Sequence, residues 1–91
     1  MTLTAPKLVS SREQARDLTA NLPADLSEVA VLLDCSALQA STPSFVDELI
    51  KAVLVERKAA QLVLQHAPDR TVELAQRAAG NHGVAERLKA E

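Results

Sequence analysis

The sequence predicts an α/β domain with a small, mainly parallel sheet and crossover helices. Three observations carry that expectation. Val29-Ala-Val-Leu-Leu33 is an unbroken apolar run closed by Asp34, and an unbroken run, unlike an alternating one, is expected of a parallel strand covered on both faces. Gln61-Leu-Val-Leu-Gln65 is a second short run, apolar inside and polar at both ends. Between them Phe45, Val46, Leu49, Ile50, Val53 and Leu54 recur at steps of three and four, the period of one helix face. Strands alternating with helices require a parallel sheet with right-handed crossovers.

Taken from the start, Met1–Pro6 is expected to be disordered, and Lys7-Leu-Val9 to be a short extended piece. Ser10-Ser-Arg-Glu13 has the spacing of a capping box, with Ser10 accepting from the Glu13 amide and Glu13 reaching back. It predicts a first helix over about 11–22, ended by Pro23. Residues 23–28 form a connection and 29–34 the central strand. A polar junction follows. Thr42 suits the N-cap and Pro43 the first helical position, since its φ is preset and its missing N–H would be unbonded there. Asp47 and Glu48 suit the positive end of that helix, which is expected over about 43–58.

After the strand 61–65, Ala67-Pro-Asp69 predicts a turn. A helix follows from Asp69 or Arg70 to Ala79, with Gly80-Asn81 as its stop. Val84–Lys89 has the pattern of a last helical piece, and 83–91 is expected to fray. If the central strand lies between the other two, both crossover helices pack on one face. The bare face then needs the C-terminal helix or a second copy of the chain, which is the basis for expecting a homodimer.

Ninety-one residues predict one domain, with about 60–65% of the unfolded surface removed from water and hence a thin core. Hydrophobic content of 47% is that of a folded chain. Phe45 is the one aromatic residue, so base stacking on aromatic rings has nothing to work with. Ten basic and twelve acidic residues give a net charge of −2, which argues against nucleic acid and against an anionic membrane surface. No apolar run approaches the ~20 residues that span a bilayer, and the first residues lack the pattern of a signal peptide. A single cysteine fits a reducing compartment, and a cytoplasmic location is expected.

Candidate site residues gather around the junction 34–48. Asp34 ends a strand at the carboxyl edge of the sheet, where open α/β sheets place ligands, and strand-end aspartates also commonly make local turns. Ser36, Ser41 and Thr42 supply hydroxyls, with Thr42 expected chiefly as the cap. Ser44 near the start of a helix would carry a phosphate well, although a first-turn serine ordinarily satisfies a local amide. Asp47 and Glu48 offer charge beside it. Cys35 is expected to be a small buried hydrophobe rather than a reactive thiol. His66 and His82 have no ligand-spaced partners, so no metal is expected. No nucleophile–base pair or glycine-rich loop is present, and neither an enzyme nor a cofactor is predicted.

The junction resembles a known family. An apolar strand ending Leu33-Asp-Cys-Ser-Ala-Leu38, then a short loop and a helix, is similar to the STAS domains of anti-sigma factor antagonists. Thr42-Pro-Ser-Phe-Val-Asp-Glu-Leu49 resembles more closely the STAS-like family of uncharacterised function, whose members carry Pro-Ser-Phe-x-x-Glu-Leu there. Ser11-Arg-Glu13 matches the start of that family's first helix, and the likeness runs from about Val9 to Leu64.

The resemblance implies a non-enzymatic regulatory module that binds a protein through residues 36–48. Its partner would be a kinase-like anti-sigma factor in a signalling pathway acting on transcription. Phosphorylated members read Asp-Ser-Ser-Gly at the helix start. Here Thr42, Pro43, Ser44 and Phe45 occupy those places, so Pro43 stands at the phospho-acceptor and only Ser44 or Thr42 retains a hydroxyl. The alternative expectation is a small-ligand or nucleotide sensor using the strand-end crevice.

Overall fold

A computed structural model describes residues 1–91. The chain runs β1 (Thr2–Thr4), β2 (Leu8–Val9), α1 (Arg12–Thr19), β3 (Ala30–Asp34), β4 (Ala40–Ser41), α2 (Pro43–Ile50), β5 (Gln61–Gln65), α3 (Asp69–Asn81) and β6 (Leu88–Ala90). α2 continues over Lys51–Glu56 as a π-helical stretch, and a 3-10 turn, Ala85–Arg87, leads into β6. Four strands form a parallel sheet in the order β1-β3-β5-β6, and β2 pairs with β4 in a separate two-stranded parallel piece. No helix is long and apolar enough to cross a membrane.

A sheet that adds strands in one direction, with right-handed crossovers, places every crossover helix on the same face. Val31, Leu33, Leu62 and Leu64 point to that face and are buried against Phe45, Val46, Leu49, Ile50, Val53 and Leu54 of the central helix. The register puts Thr2, Leu32, Val63 and Lys89 in one row on the other face, and Thr4, Asp34 and Gln65 in the next. That face is mostly polar, and Val63 is only 5% exposed among its neighbours. The uninterrupted run of β3 leads to the expectation of a face covered by the C-terminal helix or by a second copy of the chain. In the fold, the apolar part of that face is confined to Ala30, Leu32 and Val63, because β1, β5 and β6 surround them with threonine, glutamine and lysine.

Several elements differ from the sequence expectation. Residues 1–6 are not disordered: Thr2–Thr4 is the edge strand beside β3, and Ala5 extends the pairing through its N–H to Asp34 O at 2.9 Å. Three residues bounded by Pro6 are too short to show a pattern, so only the edge offered by β3 makes them a strand. Residues 7–9 consequently pair with β4 rather than with the central strand.

The C-terminus is not a frayed helix either. β6 pairs with β5 and Arg87 anchors the turn before it, donating to Ala59 O and Leu54 O, both at 2.8 Å. The capping box sits one residue later than expected. Ser11 Oγ accepts from Gln14 N at 3.1 Å while Gln14 Oε1 accepts from Ser11 N at 3.2 Å and from Ser10 N at 2.6 Å. That phase buries Ala15 and Thr19. α3 runs two residues beyond Ala79, through Gly80, and the left-handed position falls instead at Gly83 (φ +72).

Candidate functional site

The junction lies at the carboxyl edge of the sheet, and each of its residues is held by a definable contact. Asp34 Oδ1 accepts from Ser36 N at 2.9 Å, a local turn that aspartate makes because its short carboxylate reaches the amide two residues on. That hydrogen bond, more than any nearby charge, holds the Asp34 carboxyl below the usual carboxylate range. Leu38 N then bonds to Cys35 O at 3.0 Å, and Leu38 and Cys35 are both buried. Burial, with a smaller contribution from Asp34, pushes the Cys35 thiol up to about 11, so it remains a neutral thiol at neutral pH.

β4 docks on β2, with Gln39 N bonded to Lys7 O at 2.8 Å. Ser41 Oγ and Thr71 Oγ1 share a hydrogen bond of 2.8 Å, which ties the loop to the first turn of α3. Thr42 is the N-cap: its hydroxyl accepts from Phe45 N at 3.3 Å and donates to Ser10 O at 2.9 Å, joining the starts of α1 and α2. Ser44 is exposed at the second helical position, and the first-turn amide that a serine there could satisfy is taken by Thr42. Phe45 is 2% exposed and fills the core beneath.

Asp47 and Glu48 have a different fate from Ser44. Asp47 accepts from Arg12 Nη1 at 2.8 Å and contacts His82 Nε2 at 2.9 Å, so one carboxylate joins all three helices. The Arg12 hydrogen bond is the main reason the Asp47 carboxyl lies below its ordinary range; partial burial opposes it and His82 adds to it. Glu48 is 4% exposed, with Arg12 at 3.5 Å and Arg16 at 3.8 Å. Both acidic residues are therefore engaged in helix packing.

Sequence reasoning missed their partners Arg12, Arg16 and His82, and also missed Thr71. One signal was present: Arg12 and Arg16 are four apart on one helix face, which implies an acidic counterpart elsewhere. Nothing in the sequence identifies that counterpart across 35 residues.

No group of three or more His, Cys, Asp and Glu side chains is placed to hold a metal ion. Two cavities are present. A small groove of about 90 Å³ lies between α2 and α3, lined by Pro43, Asp47, Leu74, Arg77, Ala78 and Asn81. A larger one of about 460 Å³ lies far from the junction, at the amino edge of the sheet. The junction itself is a fixed platform: Ser36, Gln39, Ala40, Pro43 and Ser44 are exposed on a backbone pinned at Asp34, Ser41 and Thr42. Leu8 is 60% exposed and paired to Ala40 at the border of this surface. The chain matches no protein-family model, no curated protein and no solved structure.

Proposed function

We propose that this protein is a non-enzymatic, STAS-like interaction module that binds a partner protein through residues 36–48. The observation that carries this reading is the pinned platform at the carboxyl edge. Its exposed residues are short and varied in polarity, and its backbone is fixed by side-chain hydrogen bonds before any partner arrives. A surface of that kind binds with little ordering entropy to lose. The exposed Leu8 beside Ala40 offers an apolar contact next to the polar ones, the combination found at the centre and rim of protein interfaces. A kinase-like anti-sigma factor is the partner implied by the likeness of Leu33-Asp-Cys-Ser-Ala-Leu38 to the anti-sigma factor antagonists, and a cytoplasmic site of action accompanies that reading.

Engagement of the platform does not require a phosphate. Pro43 strengthens the helix start and has no hydroxyl to modify, and Thr42 is occupied as the cap. Of the hydroxyls at the helix start, Ser44 is the one left free on the surface to modulate binding.

The test is affinity capture from the native cell with the wild-type chain and with Ser44→Arg and Leu8→Glu. Both substitutions are at exposed positions and are expected to leave the melting temperature unchanged. The wild type should retain a protein that both variants lose. Capture of the same proteins by all three chains would refute the assignment of this surface.

A further inference from the structure

The sheet has two edges, β1 on one side and β6 on the other. An open edge is a template for another strand unless something blunts it. Along a parallel strand, every second residue turns its N–H and C=O toward the same neighbour. On β1 the inward phase is fixed by Leu32 N on Met1 O at 2.8 Å and Ala5 N on Asp34 O at 2.9 Å. Leu3 shares that phase, so Thr2 and Thr4 direct their N–H and C=O groups away from the sheet. Both residues are exposed and Leu3 is half-buried between them, as on an uncovered edge.

The two edges differ in chemistry. On β6, Glu91 N on Leu64 O at 2.8 Å and His66 N on Glu91 O at 3.1 Å turn Lys89 and Glu91 inward and leave Leu88 and Ala90 outward. The Leu88 N–H is already bonded to Ala85 O in the turn before the strand. Two copies of β6 laid antiparallel, Leu88 opposite Ala90, would also set Lys89 directly against Lys89. Like charges facing each other across a strand pair are destabilising, and an edge lysine is a common device against pairing. β1 has no such device: Thr2-Leu-Thr4 carries no charge and no proline, and its register with β3 runs without a bulge.

The β1 segment is also its own complement, since Thr2-Leu-Thr4 reads the same in both directions. With two copies antiparallel about Leu3, each Thr2 lies opposite the Thr4 of the other copy. The outward N–H and C=O groups of both residues then meet, which is the hydrogen-bonded kind of pair. Leu3 falls at the non-hydrogen-bonded position, where facing residues come closest, about 4.5 Å between Cα atoms. Leu3 is in register with Leu33 on the helix side of the sheet, so two facing leucines continue the core across the seam. On the other side the threonines form favourable cross-strand pairs.

From this match of phase, sequence and charge we infer that the protein forms a two-fold dimer with a second copy of itself through β1, joining the two four-stranded sheets into one. The strands of the two copies run in opposite directions, so their carboxyl edges face opposite ends and both platforms stay free. The seam is separate from the platform and holds or fails independently of the function proposed above.

An edge this short buries less than the ~1,200 Å² above which interfaces are ordinarily stable, so the dimer is a weak one. Sedimentation velocity on the wild type should pass from monomer to dimer between about 50 µM and 2 mM, as a dissociation constant of a few tenths of a millimolar requires. Over the same range, dilution of the ¹⁵N-labelled protein should move the amides of Leu3 and Thr4 saturably and leave those of Lys89 and Ala90 in place. Thr4→Pro removes an N–H that β3 does not use, and Thr2→Lys combined with Thr4→Lys sets like charges opposite each other at exposed positions. Each should weaken association by roughly tenfold or more while leaving the circular dichroism spectrum unchanged. The inference is overturned by a monomer at the highest concentration, by shifts centred on β6 or on Leu32 and Val63 instead, or by a doubly lysine-substituted protein that dimerises as tightly as wild type.

Discussion

Arg87→Met is the sharpest test of how the fold is closed. Arg87 stands in the turn before β6 and donates from Nη1 to Ala59 O and from Nη2 to Leu54 O, both at 2.8 Å. Leu54 and Ala59 are fully buried and flank the place where the α2 helix ends and β5 begins. A hydrogen bond from a charged donor contributes about 1.5–3 kcal/mol, and a buried acceptor left without a partner costs about 1–3 kcal/mol. Methionine keeps most of the volume and removes every donor. Because the guanidinium is itself partly desolvated, the two bonds do not add in full, and the expected loss is about 3 kcal/mol.

With an unfolding entropy of about 2.1 cal/mol/K per residue, a 91-residue chain loses about 15 °C in melting temperature. Lysine at 87 reaches one carbonyl and should recover roughly half of the loss. Urea unfolding followed by far-ultraviolet circular dichroism measures both variants, since the chain has no tryptophan or tyrosine to report. The expected result is a lower midpoint with an unchanged slope. A loss below about 0.5 kcal/mol for Arg87→Met, the size of an ordinary surface change, would falsify the view that the C-terminal turn locks the helix end to the sheet.

Three further outcomes are expected. Thr42→Ala removes the cap of α2 and the bond to Ser10 O, and should destabilise by about 1–2 kcal/mol in the same unfolding assay, whereas the neighbouring Ser44→Ala should change stability by less than about 0.5 kcal/mol. For Asp47, the folded carboxyl lies below its unfolded value. Its contribution is therefore fully present above the unfolded pKa and is lost as pH falls through the folded one. Comparing Asp47→Asn with wild type, the difference in stability should be about 0.5–1 kcal/mol at neutral pH and shrink in acid below about pH 4; a difference that does not change with pH would show that the ion pair with Arg12 contributes nothing. Cys35, with its thiol near 11, should resist a thiol-specific disulfide reagent at pH 8 in the native protein and react fully in urea.

Much of the α/β frame was legible because it is written in local periodicity. The run Val29–Leu33 and the polar-ended Gln61–Gln65 are strands, and the three- and four-residue steps from Phe45 to Leu54 make the helix buried along its length. Thr42 and Pro43 mark that helix's start within one residue, since capping depends on side chains adjacent in sequence. The Asp34 turn was equally local. The elements that were misread are those whose identity depends on a distant partner. Thr2–Thr4 and Leu88–Ala90 are three residues each, and both become strands because β3 and β5 present unpaired edges to them. The choice of Ser11 over Ser10 as cap is a competition between Gln14 and Glu13 that the phase of the buried residues decides.

The candidate site divides along the same line. From the sequence alone come the polar junction, its helix start, the replacement of a modifiable hydroxyl by Pro43, and the buried, unreactive place of Cys35. Only the tertiary structure decides which of its polar residues are free. Asp47 and Glu48 look alike beside Ser44 in the sequence, yet Arg12, Arg16 and His82 draw both carboxylates into helix packing and leave Ser44 on the surface. Likewise, nothing local announces the open edge of β1, because the strand that orients it, β3, lies about thirty residues away. Side-chain type and spacing determine what each segment can form. Which groups are consumed by the fold and which remain available to a partner is settled by contacts between segments that only the folded chain brings together.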